Sequence, residues 1–519
     1  MNRVSWTLGA FLILFTSCEE KVKKKDRDME VEKPLVYKEP FRPQFHFSPQ
    51  EKWMNDPNGL VYHSGTYHLF YQYYPDDIVW GPMHWGHAVS RDMIYWEHRP
   101  IALFPDENGF IFSGSAVVDH DNTSGFGTLE NPPLVAIFTY HDPDGEKAGK
   151  DNFQTQGIAY SLDNGDSWTK YPGNPVIGNK GIRDFRDPKV FWNALGQCWT
   201  MLLAVGDHLQ IWSSPNLKDW EKVSEFGKHQ GAHGGVWECP DLFPLTVEGS
   251  DVQKWVLLIS INPGAPNGGS GTQYFIGDFD GRTFTSDQKE HKWLDWGTDN
   301  YAGVTYNNVP GDERIFIGWM SNWAYARETP SSSWRSAMTL PRKLSLRKIG
   351  NALALINYPL ENLGGILEKG STRDLALEAG ERERIPLEGF NQTEIQFTTA
   401  ARDFTLALAN EQGERFVLRM DSGEAVFSLD RTASGKVDFN PNFGKSVQRM
   451  PISDLPEGEL EIRLFMDWSS VEVFINKGQY VMTAQLFPEE PYTLLEFQNK
   501  ASRPSKIRGL QINPIKSIW

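Results

Sequence analysis

A short signature recurs along the first half of the chain and limits what the chain can fold into. Each full copy has a serine, an Asp or Asn two positions later, and a tryptophan six or seven positions after the serine. The copies are SRDMIYW at Ser90, SLDNGDSW at Ser161 and SPNLKDW at Ser214, with a degenerate copy, GDFDGRTF, at residues 277–284. Alternating apolar runs such as PLVAIFTY precede the aromatic residues, and helical periodicity is almost absent. The spacing suits repeated four-stranded sheets, so we predict a β-propeller.

The number of blades follows from the polar turns that precede apolar strands. Five such segments occur, namely NDPNGLVY at Asn55, FSGSAVV at Phe112, RDPKVFW at Arg186, ECPDLFPL at Glu238 and YAGVTYN at Tyr301. They predict five blades, and the first strand of each blade lines the central channel. Asp56, Asp187 and Glu238 would then point into one funnel, where like charges raise one another's pKa. An Asp in a turn commonly bonds only its own backbone, but three acids at one channel mouth indicate a functional site.

The second part of the chain has a different pattern. Alternating strands such as TEIQFTTA and RFVLRMD follow at β-sandwich spacing. We therefore predict an all-β fold, with a five-bladed β-propeller over residues 41–350 followed by a C-terminal β-sandwich over residues 351–519. The length of 519 residues suits two domains. The sandwich shows no acid cluster and is expected to support the propeller; a sugar-binding role is an alternative that rests on analogy.

The N-terminus predicts export. Arg3, the apolar run WTLGAFLILF and the segment FTSC form a secretory signal that is too short to span a membrane. The cysteine resembles a bacterial lipobox, so we predict a signal peptide at residues 1–18, lipidation of Cys18 and a charged tether at residues 19–40. The protein would be a membrane-anchored lipoprotein, periplasmic or on the cell surface; an ordinary cleaved signal is the alternative. A net charge of −16 argues against a nucleic-acid partner.

Three clustered acids suit two kinds of chemistry. Glycoside cleavage uses one carboxylate as nucleophile and a second carboxyl group as proton donor, whereas Ca²⁺ or Mg²⁺ also binds clustered carboxylates. Arg186 favours the first interpretation, because a guanidinium repels a cation and pairs with carboxylates or sugar hydroxyls. We predict neither a metal nor a cofactor. His84 and His87 are interpreted as structural residues rather than as a metal pair.

Seven motifs, taken in order, resemble those of glycoside hydrolase family 32, which contains invertases, inulinases and levanases. They are WMNDPNG, FYQYYP, WGPMHWGHAVS, FSGSAV, FRDP, ECPD and GWMSNWAY. The resemblance implies a five-bladed propeller followed by a β-sandwich, in agreement with the repeat count. It also implies a retaining β-fructosidase that cleaves levan and inulin, with sucrose as a further substrate, and that releases fructose by exo action. An endo-acting fructanase, a fructosyltransferase and a non-catalytic fructan-binding lipoprotein remain as alternatives.

The resemblance also implies a role for each acid. Asp56 would be the nucleophile, Glu238 the acid/base and Asp187 a ligand of the fructose hydroxyls, with the Asp56 and Glu238 carboxyls roughly 5–5.5 Å apart. Cys239 is expected to be a buried neutral thiol that keeps water off Glu238. Two of the implied pocket residues, Trp80 and Trp323, have blade packing as an alternative role. The full set of implied substrate-binding residues is Asn55, Gln72, Trp80, Phe112, Ser113, Arg186 and Trp323.

Overall fold

Strands make up nearly all of the regular structure in the computed structural model, which describes Met1 and residues 37–387 and 391–519. The predicted signal peptide beyond Met1, the predicted lipidation site Cys18 and residues 19–36 of the predicted tether lie outside the described residues. Tyr37–Trp519 forms one compact unit. Within the described ranges, no helix has the length and apolar character needed to cross a membrane. The helical segments are the α-helix Pro143–Lys147 and the 3₁₀ turns Pro310–Asp312, Ala326–Glu328 and Glu361–Ile366.

Five sheets, numbered 1 to 5 in chain order, contain the strands of the first part of the chain. In spatial order, sheet 1 contains Trp334–Arg335, Lys52–His63, Thr66–Tyr74, His84–Ser90 and Glu97–Leu103. Sheet 2 contains Phe110–Val118, Leu134–His141, Gln154–Ser161 and Thr169–Lys170. Sheet 3 contains Glu221–Phe226, His208–Ser214, Cys198–Val205 and Phe185–Asn193.

The remaining two of these sheets each have a short strand beside the main path. Sheet 4 contains Val236–Thr246, Gln253–Asn262, Gly271–Phe279 and Phe284–Thr285, and Lys292–Trp293 also pairs with its third strand. Sheet 5 contains Tyr301–Thr305, Arg314–Met320, Arg342–Ile349 and Ala352–Pro359, and Ala337–Met338 also pairs with its second strand.

In each of these five sheets, the strand that comes first along the chain is called the first strand. The five first strands form a closed ring. Lys52–His63 contacts Phe110–Val118, which contacts Phe185–Asn193, and the series continues through Val236–Thr246 and Tyr301–Thr305 back to Lys52–His63. Each predicted blade start lies in the first strand of its sheet. The ring confirms the predicted five-bladed propeller and gives it a central axis lined by these five strands.

The recurring sequence signature forms the turn between the third and fourth strands of a blade. In sheet 2, Ser161 is the last residue of the third strand, and its hydroxyl accepts a hydrogen bond from the backbone N–H of Gly165 at 2.9 Å. The Asp163 carboxylate accepts the N–H of Ser167 at 2.9 Å, and the Trp168 indole donates to the Gly165 carbonyl at 3.2 Å. Ser and Asp therefore satisfy the turn backbone, which explains why this pattern recurs at the corresponding turn of sheets 1, 2 and 3.

A strand from late in the chain closes the ring. Trp334–Arg335 pairs in parallel with Lys52 and Trp53 at the start of sheet 1. This pairing covers an edge that would otherwise expose unpaired backbone groups. It also fixes the segment that carries Asp56 to the segment between the second and third strands of sheet 5.

The propeller extends further along the chain than the sequence pattern suggested. Arg342–Ile349 and Ala352–Pro359 form an antiparallel hairpin in sheet 5, with Arg342 opposite Pro359. Residue 350, the predicted domain boundary, lies in the turn of this hairpin, so sheet 5 ends at Pro359. The first strand of the second domain is Ser371–Leu377.

Two six-stranded sheets form the C-terminal sandwich. Sheet 6 contains Ser371–Leu377, Ser505–Pro514, Thr393–Thr399, Leu460–Asp467, Ser470–Ile475 and Tyr480–Gln485. Sheet 7 contains Arg382–Pro386, Leu494–Asn499, Phe404–Ala409, Arg415–Asp421, Val426–Ala433 and Gln448–Pro451. Burial alternates along Arg415–Asp421, as expected for a strand with one face on a core. Apolar side chains such as Phe397, Leu464 and Phe497 fill the space between the sheets.

Buried charges connect the propeller to the sandwich. Arg342 of sheet 5 forms ion pairs with Glu472 at 2.7 Å and with Asp295 at 3.0 Å. His46 lies between Glu472 and Asp467, at 3.0 and 2.8 Å. Burial alone would lower the pKa of His46, but hydrogen bonds to the two carboxylates raise it to about 9. This network explains why both domains belong to one compact unit.

Candidate active site

One cavity of about 410 Å³ opens at the end of the ring where the inner strands begin. All ten residues that the sequence placed in the site line it, namely Asn55, Asp56, Gln72, Trp80, Phe112, Ser113, Arg186, Asp187, Glu238 and Trp323. Seven further residues line it that sequence reasoning missed, namely His141, Glu146, Phe153, Gln154, Asp184, Asn262 and Arg327. Acids from sheets 1, 3 and 4 thus meet in one cavity, although they are far apart in the chain.

The inner strands carry β-bulges at the level of this cavity. The ladder of sheet 1 shifts register between Met54 and Pro57, and that of sheet 4 shifts between Glu238 and Asp241. Sheets 2, 3 and 5 have corresponding shifts. A bulge leaves one residue unpaired and changes the direction of its side chain. The bulges therefore explain how residues from regular strands converge on one pocket.

Three prolines mark these bulges in the sequence. Pro57, Pro188 and Pro240 follow Asp56, Asp187 and Cys239, and all three lie inside first strands. Proline cannot donate to the strand ladder, so within sheets it is confined to edges, strand starts and bulges. Asp187 and Cys239 have φ of 62° and 49°, a left-handed conformation that costs energy for residues other than glycine. These two strained residues contact each other at the cavity floor, where the backbone N–H of Cys239 donates to the Asp187 carboxylate.

Asp56 is held by a small set of donors. The Ser113 hydroxyl donates to its Oδ2 at 2.6 Å, and the Asn55 amide donates to its Oδ1 at 3.1 Å. The Trp53 indole in turn fixes Asn55 at 2.7 Å. Burial, and then the charge of Glu238, raise the pKa of Asp56 to about 6, while the hydrogen bond from Ser113 opposes this rise. The side chain is therefore oriented for reaction and ionised near neutral pH.

Glu238 has two strong donors from neighbouring blades. Arg186 donates to Oε1 from Nη2 at 3.0 Å and from Nε at 3.3 Å. The Tyr301 hydroxyl donates to Oε2 through a short hydrogen bond. Burial raises the pKa of Tyr301 well above its usual range, so the hydroxyl keeps its proton. Asp184 accepts from the other end of Arg186 at 2.7 Å, which fixes the guanidinium. These contacts fix the position of the Glu238 carboxyl group.

Asp187 lies on the floor of the cavity. Its Oδ2 accepts the backbone N–H of Cys239 at 3.0 Å. Burial raises the pKa of Asp187, as do the charges of Glu238 and Asp56, while Arg186 lowers it; the net direction is upward because burial is the largest effect. Throughout the part of the chain that the structure describes, no three His, Cys, Asp or Glu side chains are arranged to hold a metal ion.

The Cys239 thiol lies between two of the acids. Its Sγ is 3.7 Å from Asp56 Oδ2 and 3.6 Å from Asp187 Oδ2. Burial and the neighbouring carboxylates raise its pKa well above the usual value, so it is the buried neutral thiol that the sequence predicted. Its contacts, however, are with Asp56 and Asp187 rather than with Glu238.

Aromatic side chains form one wall of the cavity. Trp80 and Phe112 meet edge to face at 6.0 Å, and the Arg327 guanidinium lies 5.9 Å from the Trp80 ring and 5.8 Å from the Trp323 ring. Trp323 also stacks on Trp53 at 6.0 Å. Trp323 therefore takes part in blade packing and lines the cavity, which combines the two roles considered for it. Gln72 donates to the backbone carbonyl of Ile111 at 3.0 Å.

A second group of lining residues is polar and was missed at the sequence level. His141 stacks on Phe112 at 4.2 Å and pairs with Glu146 at 3.1 Å. Glu146 belongs to the short helix Pro143–Lys147, whose N-terminus is capped by the Asp142 side chain. The segment HDPDGEKAGKDN has no helical periodicity, because a five-residue helix is too short to show it. Tyr301 was detectable, because it begins the fifth predicted blade.

The two histidines of the segment HWGHA have separate structural partners. His87 Nε2 lies 3.1 Å from His68 Nδ1 in a buried pair, and burial lowers the pKa of His87 well below its usual value. His84 Nδ1 lies 2.9 Å from the Pro82 carbonyl. These partners agree with their interpretation as structural residues.

Both domains match models of a known protein family. The model for the Glycosyl hydrolases family 32 N-terminal domain matches residues 46–359, and the model for the Glycosyl hydrolases family 32 C terminal matches residues 368–514. The two matches separate where sheet 5 ends and sheet 6 begins. The family assignment therefore covers the propeller and the sandwich.

Individual relatives match over 93% of this chain. The chain is 45% identical over 496 residues to the levanase of Bacillus subtilis (strain 168), covering 93% of this chain and 72% of the levanase. It is 40% identical over 519 residues to the extracellular exo-inulinase of Aspergillus awamori, covering 93% and 96% of the two chains. The crystal structure of exo-inulinase from Aspergillus awamori has a TM-score of 0.85 at 39% identity, covering 93% of this chain and 100% of that chain. From the matched domains, the fold and the gathered acids together, this chain belongs to glycosyl hydrolase family 32.

Proposed function

We propose that this protein is a retaining, exo-acting β-fructosidase that hydrolyses fructans such as levan and inulin, and also sucrose. The observation that carries the proposal is the cavity in which Asp56 and Glu238 stand with Asp187, each held by its own donors. The levanase and exo-inulinase relatives support the substrate class. Incubation with levan, inulin and sucrose, followed by separation of products by chain length, tests it directly.

In the first chemical step, the Asp56 carboxylate attacks the anomeric C2 of the terminal fructosyl unit. The C2–O bond to the rest of the substrate breaks, and Glu238 gives its proton to the departing oxygen. The product is a covalent fructosyl ester of Asp56. Ser113 and Asn55 hold the Asp56 carboxylate in one orientation, which reduces the entropy lost on reaching the attack geometry.

In the second step, Glu238 acts as a base toward water. It removes a proton as the water oxygen attacks C2, and the ester bond to Asp56 breaks, which restores both groups and retains the configuration. Asp187 accepts hydrogen bonds from fructose hydroxyls that strengthen as positive charge develops at the ring. Arg186 and Tyr301 keep Glu238 beside the leaving oxygen in both steps.

The acid limb of the pH–activity profile should report Asp56. The nucleophile must be ionised, so kcat/KM is expected to rise with pH through the pKa of about 6. Ser113→Ala removes a hydrogen bond that stabilises the carboxylate, so the limb should move to higher pH by about one unit. Ser113→Thr keeps the hydroxyl and should leave the limb in place. A limb that stays fixed or moves to lower pH in Ser113→Ala would refute this role for Ser113.

Exo action is proposed from the walls of the cavity. The stacked pair of Phe112 and His141 and the Arg327 guanidinium over Trp80 limit how a sugar chain can lie across the acids. Early digests of levan or inulin should therefore contain free fructose and few intermediate oligosaccharides. A ladder of oligosaccharides with little fructose would support endo action instead. Products longer than the substrate would indicate a fructosyltransferase.

Lipid anchoring through Cys18 is a separate proposal. The segment FTSC after an apolar run supports acylation of Cys18 in a bacterial host. The full-length protein should then fractionate with membranes, and Cys18→Ala should move it to the soluble fraction. Cys198→Ala is a suitable control, because Cys198 lies within sheet 3. An unchanged distribution of Cys18→Ala would rule out the anchor.

A further inference from the structure

A second cavity, of about 620 Å³, opens at the opposite end of the propeller ring. We call it the far cavity. Its lining includes Val117, Phe191 and Leu242, from the later parts of the same inner strands that carry Ser113, Asp187 and Glu238. Phe191 lies four positions after Asp187 along the strand, which corresponds to about 13 Å. The far cavity is therefore a distinct feature of the ring and not part of the candidate active site.

Buried polar contacts close the ring between the two cavities. Lys189 is paired with Asp241 at 3.1 Å, and its ammonium also donates to the Thr305 carbonyl. The Asn307 amide donates to the carbonyls of Ala116 and Val190 at 2.8 and 3.0 Å. Lys189 and Asp241 are 4% and 1% exposed. This layer ties the strands together and separates the far cavity from the candidate active site.

The far cavity carries an aromatic surface. Trp192 is 38% exposed and packs edge to face on Trp199 at 5.1 Å. The Trp199 indole donates to Thr123 at 2.8 Å, which holds the pair in place. Trp255 adds a further ring, 6.0 Å from Phe191. A tryptophan that is rigidly supported yet open to solvent offers a flat apolar face, on which the C–H groups of a sugar pack well.

Polar side chains surround these rings. His120 Nε2 lies 3.2 Å from the Asn308 amide oxygen at the rim, and Gln253 is exposed beside Trp255. These side chains match the many donors and acceptors of a sugar chain. The lining has more acidic than basic side chains and the protein has a net charge of −16, so an anionic ligand is disfavoured. A neutral carbohydrate fits this chemistry.

We propose that the far cavity is a second carbohydrate-binding site, which holds an internal segment of a fructan chain while chain ends reach the candidate active site. The choice of fructan rests on the proposed function, because that polymer is the carbohydrate the enzyme would meet in quantity. Two sites on one polymer raise the local concentration of chain ends without new contacts at the active site. The benefit should appear with long fructans and be absent with sucrose.

The test compares Trp192→Ala with the wild-type enzyme on long levan or inulin and on sucrose. KM for the long fructan should rise about five- to tenfold, the loss expected for one aromatic contact, with kcat unchanged. The kinetic constants for sucrose should stay at wild-type values. Trp192→Phe should keep most of the effect, and Gln253→Ala should reproduce part of the loss. Tyr95→Ala changes an exposed aromatic residue outside the cavity and is the control.

Binding can be measured apart from catalysis. In native gels that contain levan or inulin, Trp192→Ala should be retarded less than wild type, and Tyr95→Ala should be retarded equally. Unchanged KM and retardation for Trp192→Ala would overturn the proposal, as would an equal loss on sucrose, because that loss would come from a disturbed propeller. Failure of the wild-type enzyme to hydrolyse any fructan would instead count against the proposed function.

Discussion

Replacing Asp56 with asparagine should reduce turnover of sucrose and fructans by on the order of 10⁴-fold or more and, at the same time, make the protein more stable. Turnover is lost because an amide cannot form the fructosyl ester. The Asn side chain has the same shape: its amide oxygen can accept from Asn55, and the Ser113 hydroxyl can turn to accept from its NH2 group. The fold should therefore be intact.

The gain in stability follows from the raised pKa of Asp56. Its value is about 6 in the folded protein and about 4 in an unfolded chain. Below pH 4 the carboxyl is protonated in both states and costs the fold nothing; above pH 6 it is ionised in both, and the folded state carries the full cost of burial beside Glu238. The shift corresponds to about 3 kcal/mol, which partial exposure to the cavity reduces to about 2 kcal/mol.

Thermal unfolding at pH 7.5 and at pH 4 measures this effect. Asp56→Asn should raise Tm by about 2–4 °C at pH 7.5 and by much less at pH 4. Asp241→Asn is a control of opposite sign, because it leaves the buried Lys189 without its carboxylate partner and should lower Tm. A Tm for Asp56→Asn that falls at pH 7.5 would show that the folded protein does not carry this electrostatic cost.

Glu238→Gln should lower turnover of fructans by about 10²- to 10⁴-fold, the usual contribution of a positioned acid. The loss should depend on the leaving group. An aryl β-fructoside with an acidic phenol departs without a proton, so formation of the fructosyl-enzyme should recover in this variant. Hydrolysis of that ester still needs a base, so a burst of phenol followed by slow turnover is expected.

Rescue and control experiments make the assignment specific. Azide attacks the ester without losing a proton, so it should restore turnover of the aryl fructoside by Glu238→Gln and give a fructosyl azide of retained configuration. It should not rescue Asp56→Asn. Glu146→Gln is the matched control, because Glu146 lines the same cavity but pairs with His141. Near wild-type activity of Glu238→Gln on fructans would exclude Glu238 as the acid.

Much of the fold could be read from local pattern. The Ser–Asp–Trp signature marks a turn whose side chains satisfy their own backbone, so it survives as a sequence pattern wherever a blade needs that turn. The domain boundary was harder to place. Residue 350 lies in a hairpin turn whose polar sequence resembles a linker, and only the pairing of Arg342 with Pro359 shows that the blade continues.

The residues of the candidate site also divide into those that the sequence predicted and those that it did not. Asp56, Asp187 and Glu238 were predicted because each lies at a predicted blade start and in a family motif. The roles of Tyr301 and Arg327 in the site were not predicted, because their contacts with Glu238 and Trp80 join distant segments and leave no local pattern. Glu146 was not predicted because its helix is too short to show periodicity.

The sequence by itself determined the five blade starts, the three acids that lie there and the family to which the chain belongs. Only the tertiary structure decided the electrostatics of the acids. The pKa of Asp56 depends on desolvation and on the charge of Glu238, a residue from another blade. Closure of the ring sets both quantities, because it brings the inner strands together around one axis. The residue type at each site position can therefore be read from the local sequence. The pKa values of the acids depend on distances between blades, which only the closed propeller fixes.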